Sequence, residues 1–327
     1  MSKFKVSVIV PVYNAESYIE TALSSLLTQS LDDIEIIIIN DGSTDNSLSL
    51  IEKTLDRNVN KKKHITLISR ENKGVAATRN QGLKKAQGEY IIHFDSDDWA
   101  SKNWLKYLYE KAIEEKSDIV ICDYNEVHNK SRKHIPQKIY ASKEENVNAL
   151  LTGEINSANW NKLVKRSIIN DNNIQYIDNL NMGEDFLITL MILLQSKKFS
   201  HVASPLYFYN KINQASLTYN YSMKSLYDVL KVTEIAEQLL VQENYRSKKN
   251  EGLDYFKLGV KNIFIAHANG NADIIKKGLS LYPEIGYLIN TKAYPKFLKL
   301  IFNIDKYKLN FLYKSIYSVY RFYKKIK

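Results

Sequence analysis

Six residues, Ile34 to Ile39, constrain this chain more than any others. All but Glu35 are isoleucine, and a β-branched run of that length suits a strand covered on both faces. Such a strand needs helices above and below it, and therefore βαβ crossovers. The neighbouring sequence supplies them. Val6 to Val10 is another apolar run, and between the two Ile19, Ala22, Leu23, Leu26 and Leu27 recur at helical spacing. Further strands are predicted at Ile65 to Ile68, Tyr90 to Phe94 and Ile119 to Cys122, with helices over Ser47 to Leu55, Ala76 to Ala86 and Trp104 to Glu115. These units predict an α/β fold with an open, mostly parallel sheet. The rhythm stops near Asn125. Residues to Tyr221 are read as completing the same domain, and 222–327 as a helical extension.

Ligands in such sheets bind beyond the carboxyl ends of the strands. Three predicted strand ends are strongly polar: Pro11-Val12-Tyr13-Asn14, Asn40-Asp41-Gly42-Ser43-Thr44-Asp45 and Asp95-Ser96-Asp97-Asp98-Trp99. Asp95 and Asp97 offer hard oxygen donors that, joined by diphosphate oxygens, suit Mg2+ or Mn2+; the same residues also suit a helix cap. Asp41 has the acceptor that a uracil imide N–H requires, and equally the makings of an Asx turn. Tyr13 suits stacking on a base, or a half-buried rim position. Glu184-Asp185 open a helical stretch, where acidic side chains favour the N-terminus. His93 has no second histidine at ligand spacing and reads as a packed residue. The Gly-x-Gly-x-x-Gly fingerprint and the Gly-x-x-x-x-Gly-Lys-Ser/Thr loop are absent, which removes the main support for a dehydrogenase or an ATPase.

Taken in order, Val8-Ile9-Val10-Pro11-Val12-Tyr13-Asn14, Asn40-Asp41-Gly42-Ser43-Thr44-Asp45, Arg70-Glu71-Asn72-Lys73-Gly74 with Arg79-Asn80-Gln81-Gly82, and Phe94-Asp95-Ser96-Asp97-Asp98 resemble the family 2 glycosyltransferases. Gly183-Glu184-Asp185 extends the likeness. The resemblance implies a GT-A fold, Rossmann-like, with residues 1–124 binding a nucleotide sugar and 125–221 the acceptor. It implies that Asp41 reads the uracil, Tyr13 and Arg70 flank the base, Asp95 holds the ribose and Asp97 ligates Mn2+ or Mg2+. Asp98 is expected near the donor sugar and Arg79 at the diphosphate or sugar; Pro11, Asn14, Lys73 and Ser96 count as donor contacts. Asp185 is expected as the general base of an inverting transfer, with Glu184 beside it. The implied substrates are a UDP-sugar and a glycan or lipid-linked acceptor of surface polysaccharide synthesis. A catalytically silent homologue and a nucleotidylyltransferase are the alternatives. Trp160 or Tyr209 would suit stacking on a sugar face, while Phe208 reads as packing.

Composition is that of an ordinary globular chain, 44% hydrophobic and 25% charged over 327 residues. The lone cysteine, Cys122, allows no internal disulfide and fits a reducing, cytoplasmic setting. The net charge of +10 is concentrated: residues 292–327 hold nine Lys and one Arg against one Asp. There Leu309, Leu312, Tyr313, Ile316, Tyr317 and Tyr320 recur at helical spacing, among Lys306, Lys314, Arg321, Lys324 and Lys325. The pattern predicts a basic amphipathic helix over 304–327. Such a helix either lies on the anionic inner face of a membrane or packs its stripe on the protein with its lysines solvated. A basic tail without a recognised binding fold does not support nucleic-acid binding.

Overall fold

The computed structural model describes residues 2–58, 64–180, 182–213, 222–245, 251–291 and 295–326, the side chains of 290 and 321–326 excepted. The chain divides into two compact units, Met1–Tyr219 and Asn220–Lys327. The predicted 221/222 boundary falls in residues 214–221, outside the described residues.

The first unit begins with β1 (Phe4–Val12), α1 (Ile19–Leu27), β2 (Ile34–Asp41), α2 (Ser47–Asp56), β3 (His64–Arg70), α3 (Val75–Lys85) and β4 (Gly88–His93). It continues with β5 (Trp99–Ala100), α4 (Trp104–Glu115), β6 (Ile119–His128), β7 (Ser131–Ile135) and α5 (Lys143–Leu151). Then come β8 (Lys162–Lys165), α6 (Arg166–Asp171), α7 (Glu184–Gln195) and β9 (Phe199–Asn210). The sheet order is β3-β2-β1-β4-β8-β6-β9-β5, with β7 on β6. The first four strands are parallel neighbours. β8 runs antiparallel between β4 and β6, so β6 keeps the common direction without bonding to β4. β9 is parallel to β6, and β5 closes the far edge antiparallel to β9.

Every residue of β2 is buried, as its isoleucines demand. Glu35 is the exception in chemistry, and it is satisfied: its Oε1 accepts from Ser7 Oγ at 2.6 Å, Gln87 N at 2.6 Å and Gly88 N at 3.1 Å. The carboxylate thus ties β2 to β1 and to the start of β4, which a buried charge requires. α3 lies close on the sheet because Gly82 has no side chain; a Cβ there would meet Ile9 Cγ2 at 2.3 Å. Parallel strands in register bring the ends of β1, β2 and β3 to one edge, with Val12 beside Asn40 and Asp41 beside Arg70.

The second unit is helical: α8 (Met223–Gln242), α9 (Glu251–Ala266), α10 (Ala272–Ser280), a 3-10 stretch at Pro283–Asn290, α11 (Lys296–Lys306) and α12 (Tyr313–Ile326). Here part of the tail's stripe takes the packed alternative. Tyr313 and Tyr317 are 1% and 0% exposed, packed with Leu258, Ile265, Leu298 and Ile301, and the Tyr317 hydroxyl donates to Ile265 O. Tyr313 and Tyr317 therefore belong to the core of the helical unit, whereas Leu309 stays exposed. The side chains of Arg321, Lys324 and Lys325 lie outside the described residues. Among the described residues no helix is long and apolar enough to cross a membrane.

Candidate active site

The loops after β1 and β2 are laced together. Asn14, at a left-handed φ of 48°, donates its N–H to Ser43 Oγ at 3.0 Å, and its Oδ1 accepts from Thr44 N at 2.9 Å. Ala15 N donates to Ser47 Oγ at 2.8 Å and Glu16 N to Asp45 Oδ2 at 3.0 Å. Asn14 therefore shapes the rim, its acceptor already used by the loop it holds. Tyr13 stands beside this lacing, 53% exposed, with its ring open to a ligand. Pro11 is a half-buried member of β1, paired in register with Ile39.

Asp41, the last residue of β2, gathers the loop after β3. Its Oδ1 accepts from Lys73 N at 3.0 Å and pairs with Arg70 at 2.9 Å, while Oδ2 accepts from Gly74 N at 2.8 Å. Three donors against about four lone-pair positions leave room for one more. Arg70 in turn donates to Thr78 Oγ1 at 2.8 Å. Lys73 contributes its backbone to this knot, and its side chain is exposed. Gly42 lets the knot close: its φ is +71°, and an added Cβ would sit 2.6 Å from Asn72 N. Gly42→Ala is expected to cost about 1–3 kcal/mol from backbone strain before the clash is counted, read as a lowered denaturation midpoint.

Arg79, in α3, is the electrostatic centre. It is 5% exposed, and its guanidinium reaches Asp185 Oδ1 at 2.6 Å, Glu184 Oε1 at 3.1 Å and Asp95 Oδ1 at 3.2 Å. Burial opposes its charge, but the surrounding acids, Asp185 foremost, more than offset this and hold the pKa well above the ordinary arginine value. Two of its terminal nitrogens hold three carboxylates, which gathers the acids about it. Tyr176 lies against it, ring centre 5.6 Å from the guanidinium carbon. Asn80 pins the Tyr176 backbone through both its N–H and its carbonyl, each at 2.8 Å. The Tyr176 hydroxyl meets His93 Nε2 at 3.1 Å. Burial, and then the Arg79 charge, push the His93 pKa well down, so the ring stays neutral and packed, as its sequence context predicts.

Glu184 and Asp185 open α7 behind Gly183, whose φ of 85° makes the turn into the helix. Asp185 Oδ1 also accepts from Asn159 Nδ2 at 2.7 Å, and Asn159 donates to the Tyr176 hydroxyl at 3.1 Å. The other Asp185 oxygen has no partner among the described residues. The Asp185 side chain is 25% exposed against 12% for Glu184. Burial, and then the Asp185 charge, raise the Glu184 pKa to about 7 against Arg79. Burial likewise raises Asp95 to about 6. The buried Lys162 ammonium holds the 156–161 loop by donating to Asn156 O at 2.5 Å, Ala158 O at 2.6 Å and Asn161 Oδ1 at 2.9 Å. Asn159 and Tyr176 carry no motif of their own; only their positions around Arg79 and Asp185 reveal them.

A raised carboxyl pKa fixes the sign of a pH effect. Folded Glu184 keeps its proton to about pH 7, whereas unfolded glutamate releases it near its ordinary 4.5. Its contribution to stability is therefore fully present below pH 4.5 and is lost as pH rises through 7. Glu184→Gln is expected to flatten the fall in stability over that window, measured by urea denaturation at several pH values. Asp95 contributes with the same sign, so part of the slope remains.

The Asp cluster separates into two roles. Asp97 Oδ2 accepts from Asn213 Nδ2 at 2.8 Å, and the half-buried carboxylate keeps Oδ1 without a partner among the described residues. Asp98 faces away: it is 1% exposed, and its Oδ1 accepts from Asn210 N at 2.7 Å. That carboxyl anchors the end of β9. Burial, and then the charges of Asp97 and Asp95, raise its pKa well above the carboxylate range. Ser96 is half-buried between them. Trp160 is also corrected as a sugar-stacking candidate, being 3% exposed and stacked on Tyr207 at 4.4 Å. Phe208 packs as expected, stacked on Trp99 at 5.6 Å. Among the described residues no three His, Cys, Asp or Glu side chains form a complete metal cage. An open carboxylate oxygen of this kind fits Mg2+ or Mn2+, which bind through one or two carboxylates plus substrate phosphates.

The chain has relatives among known proteins. Residues 7–172 match the family described as Glycosyl transferase family 2. EpsH of Bacillus subtilis, itself assigned as a glycosyltransferase, is 34% identical over 258 residues, covering 77% of this chain and 73% of EpsH. A cholesterol galactosyltransferase of Borreliella burgdorferi is 34% identical over 259 residues, covering 74% of this chain and 69% of its own. The crystal structure of residues 1–349 of Staphylococcus aureus TarS with UDP-GlcNAc superposes with a TM-score of 0.68 at 22% identity, covering 97% of this chain and 92% of that one. The superposition shows a GT-A fold followed by a helical region. This chain belongs to the family 2 glycosyltransferases.

Proposed function

We propose that the protein transfers a hexose or N-acetylhexosamine from a UDP-sugar to an acceptor hydroxyl with inversion, within surface polysaccharide synthesis. The observation that carries this reading is the placement of Asp185, oriented through one oxygen by Arg79 and Asn159 with the other oxygen unpartnered. A carboxylate held so is suited to take the acceptor proton as the acceptor oxygen attacks the anomeric carbon, and a single in-line displacement inverts that centre. Glu184, more buried and sharing Arg79, orients its neighbour. Tyr13 and Arg70 flank the uracil, the remaining acceptor position on Asp41 takes its imide N–H, and Asp95 binds the ribose. Asp97 would hold Mg2+ or Mn2+, which offsets charge on the diphosphate leaving group when bound. Residues 1–124 then serve the donor and 125–221 the acceptor, a glycan or lipid-linked saccharide reached from the cytoplasm, at the inner face of the membrane.

Support comes from family membership and from the TarS complexes with UDP-GlcNAc and UDP, which concern that protein. The test is incubation with a panel of UDP-sugars, Mn2+ or Mg2+, and candidate acceptors, followed by nucleotide chromatography. UDP is the expected product. Release of pyrophosphate from a nucleoside triphosphate and a sugar phosphate, with no UDP formed, would reassign the protein as a nucleotidylyltransferase.

A further inference from the structure

Burial of the Tyr313–Tyr317 stripe leaves another surface of the helical unit to account for. Among the described residues, six of the fourteen exposed large hydrophobic side chains fall between 300 and 319: Leu300, Phe302, Tyr307, Leu309, Phe311 and Val319. That concentration is not the scatter expected of single surface hydrophobics. Its cause is local. α11 turns Leu298, Ile301 and Ile304 inward and ends at Lys306, and two residues on Lys308 takes a left-handed φ of 57°. Lys308 N and Leu309 N each donate back into α11 at 2.9 Å, closing the helix end. The chain then crosses to α12 through a 3-10 turn at Asn310–Leu312. This turn presents Tyr307 at 66% exposure and Phe311 at 77%, with Leu309 between them.

The same region is positive. Lys296, Lys299, Lys306, Lys308 and Lys314 are exposed, and among the described residues none of them forms a salt bridge. The one acid among them, Asp305, accepts from the Tyr313 hydroxyl at 2.9 Å. On α11 the buried positions 298, 301 and 304 set Lys299 and Lys306 on the opposite side, with Phe302 and Leu300 at its margins.

We infer that the turn 307–311, with its surrounding lysines, docks on an anionic lipid bilayer, Phe311 entering first. Aromatic and aliphatic side chains at the tip bury into the headgroup region while lysines meet the anionic phosphates, and both terms act together. A second copy of the chain fits less well, because a two-fold contact would set the same lysines against one another. The inference deepens the proposed reaction at the inner face of a membrane and rests on that reading for its purpose.

The full-length protein is sedimented with vesicles of phosphatidylcholine alone and of phosphatidylcholine with phosphatidylglycerol. Binding is expected to the anionic vesicles only. Lys306→Glu/Lys308→Glu is expected to weaken it by at least roughly 25-fold, at about fivefold per lysine charge removed. Phe311→Ser is expected to weaken it by about tenfold. Phe311→Trp is expected to show a blue-shifted emission increment on anionic vesicles, a readout that needs no loss of function. No binding by the wild-type protein, binding unchanged in Phe311→Ser, or dimers that Phe311→Ser dissociates would each overturn the inference. UDP titration of the same preparations keeps the two readings apart: lost vesicle binding with UDP binding intact overturns only the docking surface, and the converse overturns only the nucleotide-sugar reading.

Discussion

Arg79→Ala is expected to be the most destabilising single substitution in the site, at about 3–5 kcal/mol near neutral pH, the range for removing one partner of a buried ion pair. The change strands Asp95, Glu184 and Asp185, all within 3.2 Å of the guanidinium in the wild-type protein. For Asp95 and Glu184 the escape is protonation. Asp95 and Glu184 are already displaced to about 6 and about 7 with the arginine present, and without it they rise further. The deficit should therefore be smaller at pH 5 than at pH 8, whereas a deficit due only to lost packing would be the same at both. Urea denaturation at the two pH values separates these. Arg79→Lys should fall between, since a single ammonium cannot reproduce a planar fork that contacts acids on both terminal nitrogens.

Asp185→Asn carries the largest expected effect on chemistry, a fall in kcat of about 10²–10⁴ with UDP affinity retained. The amide oxygen can still accept from Arg79 and Asn159, so the surrounding structure has no reason to shift. What disappears is the capacity to take a proton. Glu184→Gln should cost much less in kcat, because its carboxyl is more buried. If the two variants exchange effects, the base is Glu184 and Asp185 is the orienting partner.

Legibility in the sequence followed how locally each feature is encoded. β2 announces itself because buried parallel strands are built from β-branched runs, and the polar strand ends mark the ligand edge. β8 does not: its four residues, Lys162–Lys165, include two lysines, and it pairs with strands distant in sequence. β7 is an exposed hairpin arm, Ser131–Ile135, whose polarity resembles any loop. Asp95, Asp97 and Asp185 stood out as carboxylates at telling positions. Arg79 and the three acids were each legible as site residues, but their pairing was not, since the 106-residue separation of Arg79 from Asp185 is closed only by the tertiary fold. Asp98 shows the reverse difficulty: motif position cannot say that a carboxyl points inward to Asn210. In the tail, periodicity correctly indicated a helix with an apolar face but could not name what that face packs against.

The most direct test of the account is calorimetric titration of UDP, with and without Mn2+, into the wild-type protein and Asp97→Ala. The account predicts tight binding that requires both the cation and the Asp97 carboxylate. Failure of the wild-type protein to bind UDP under any metal condition would contradict it.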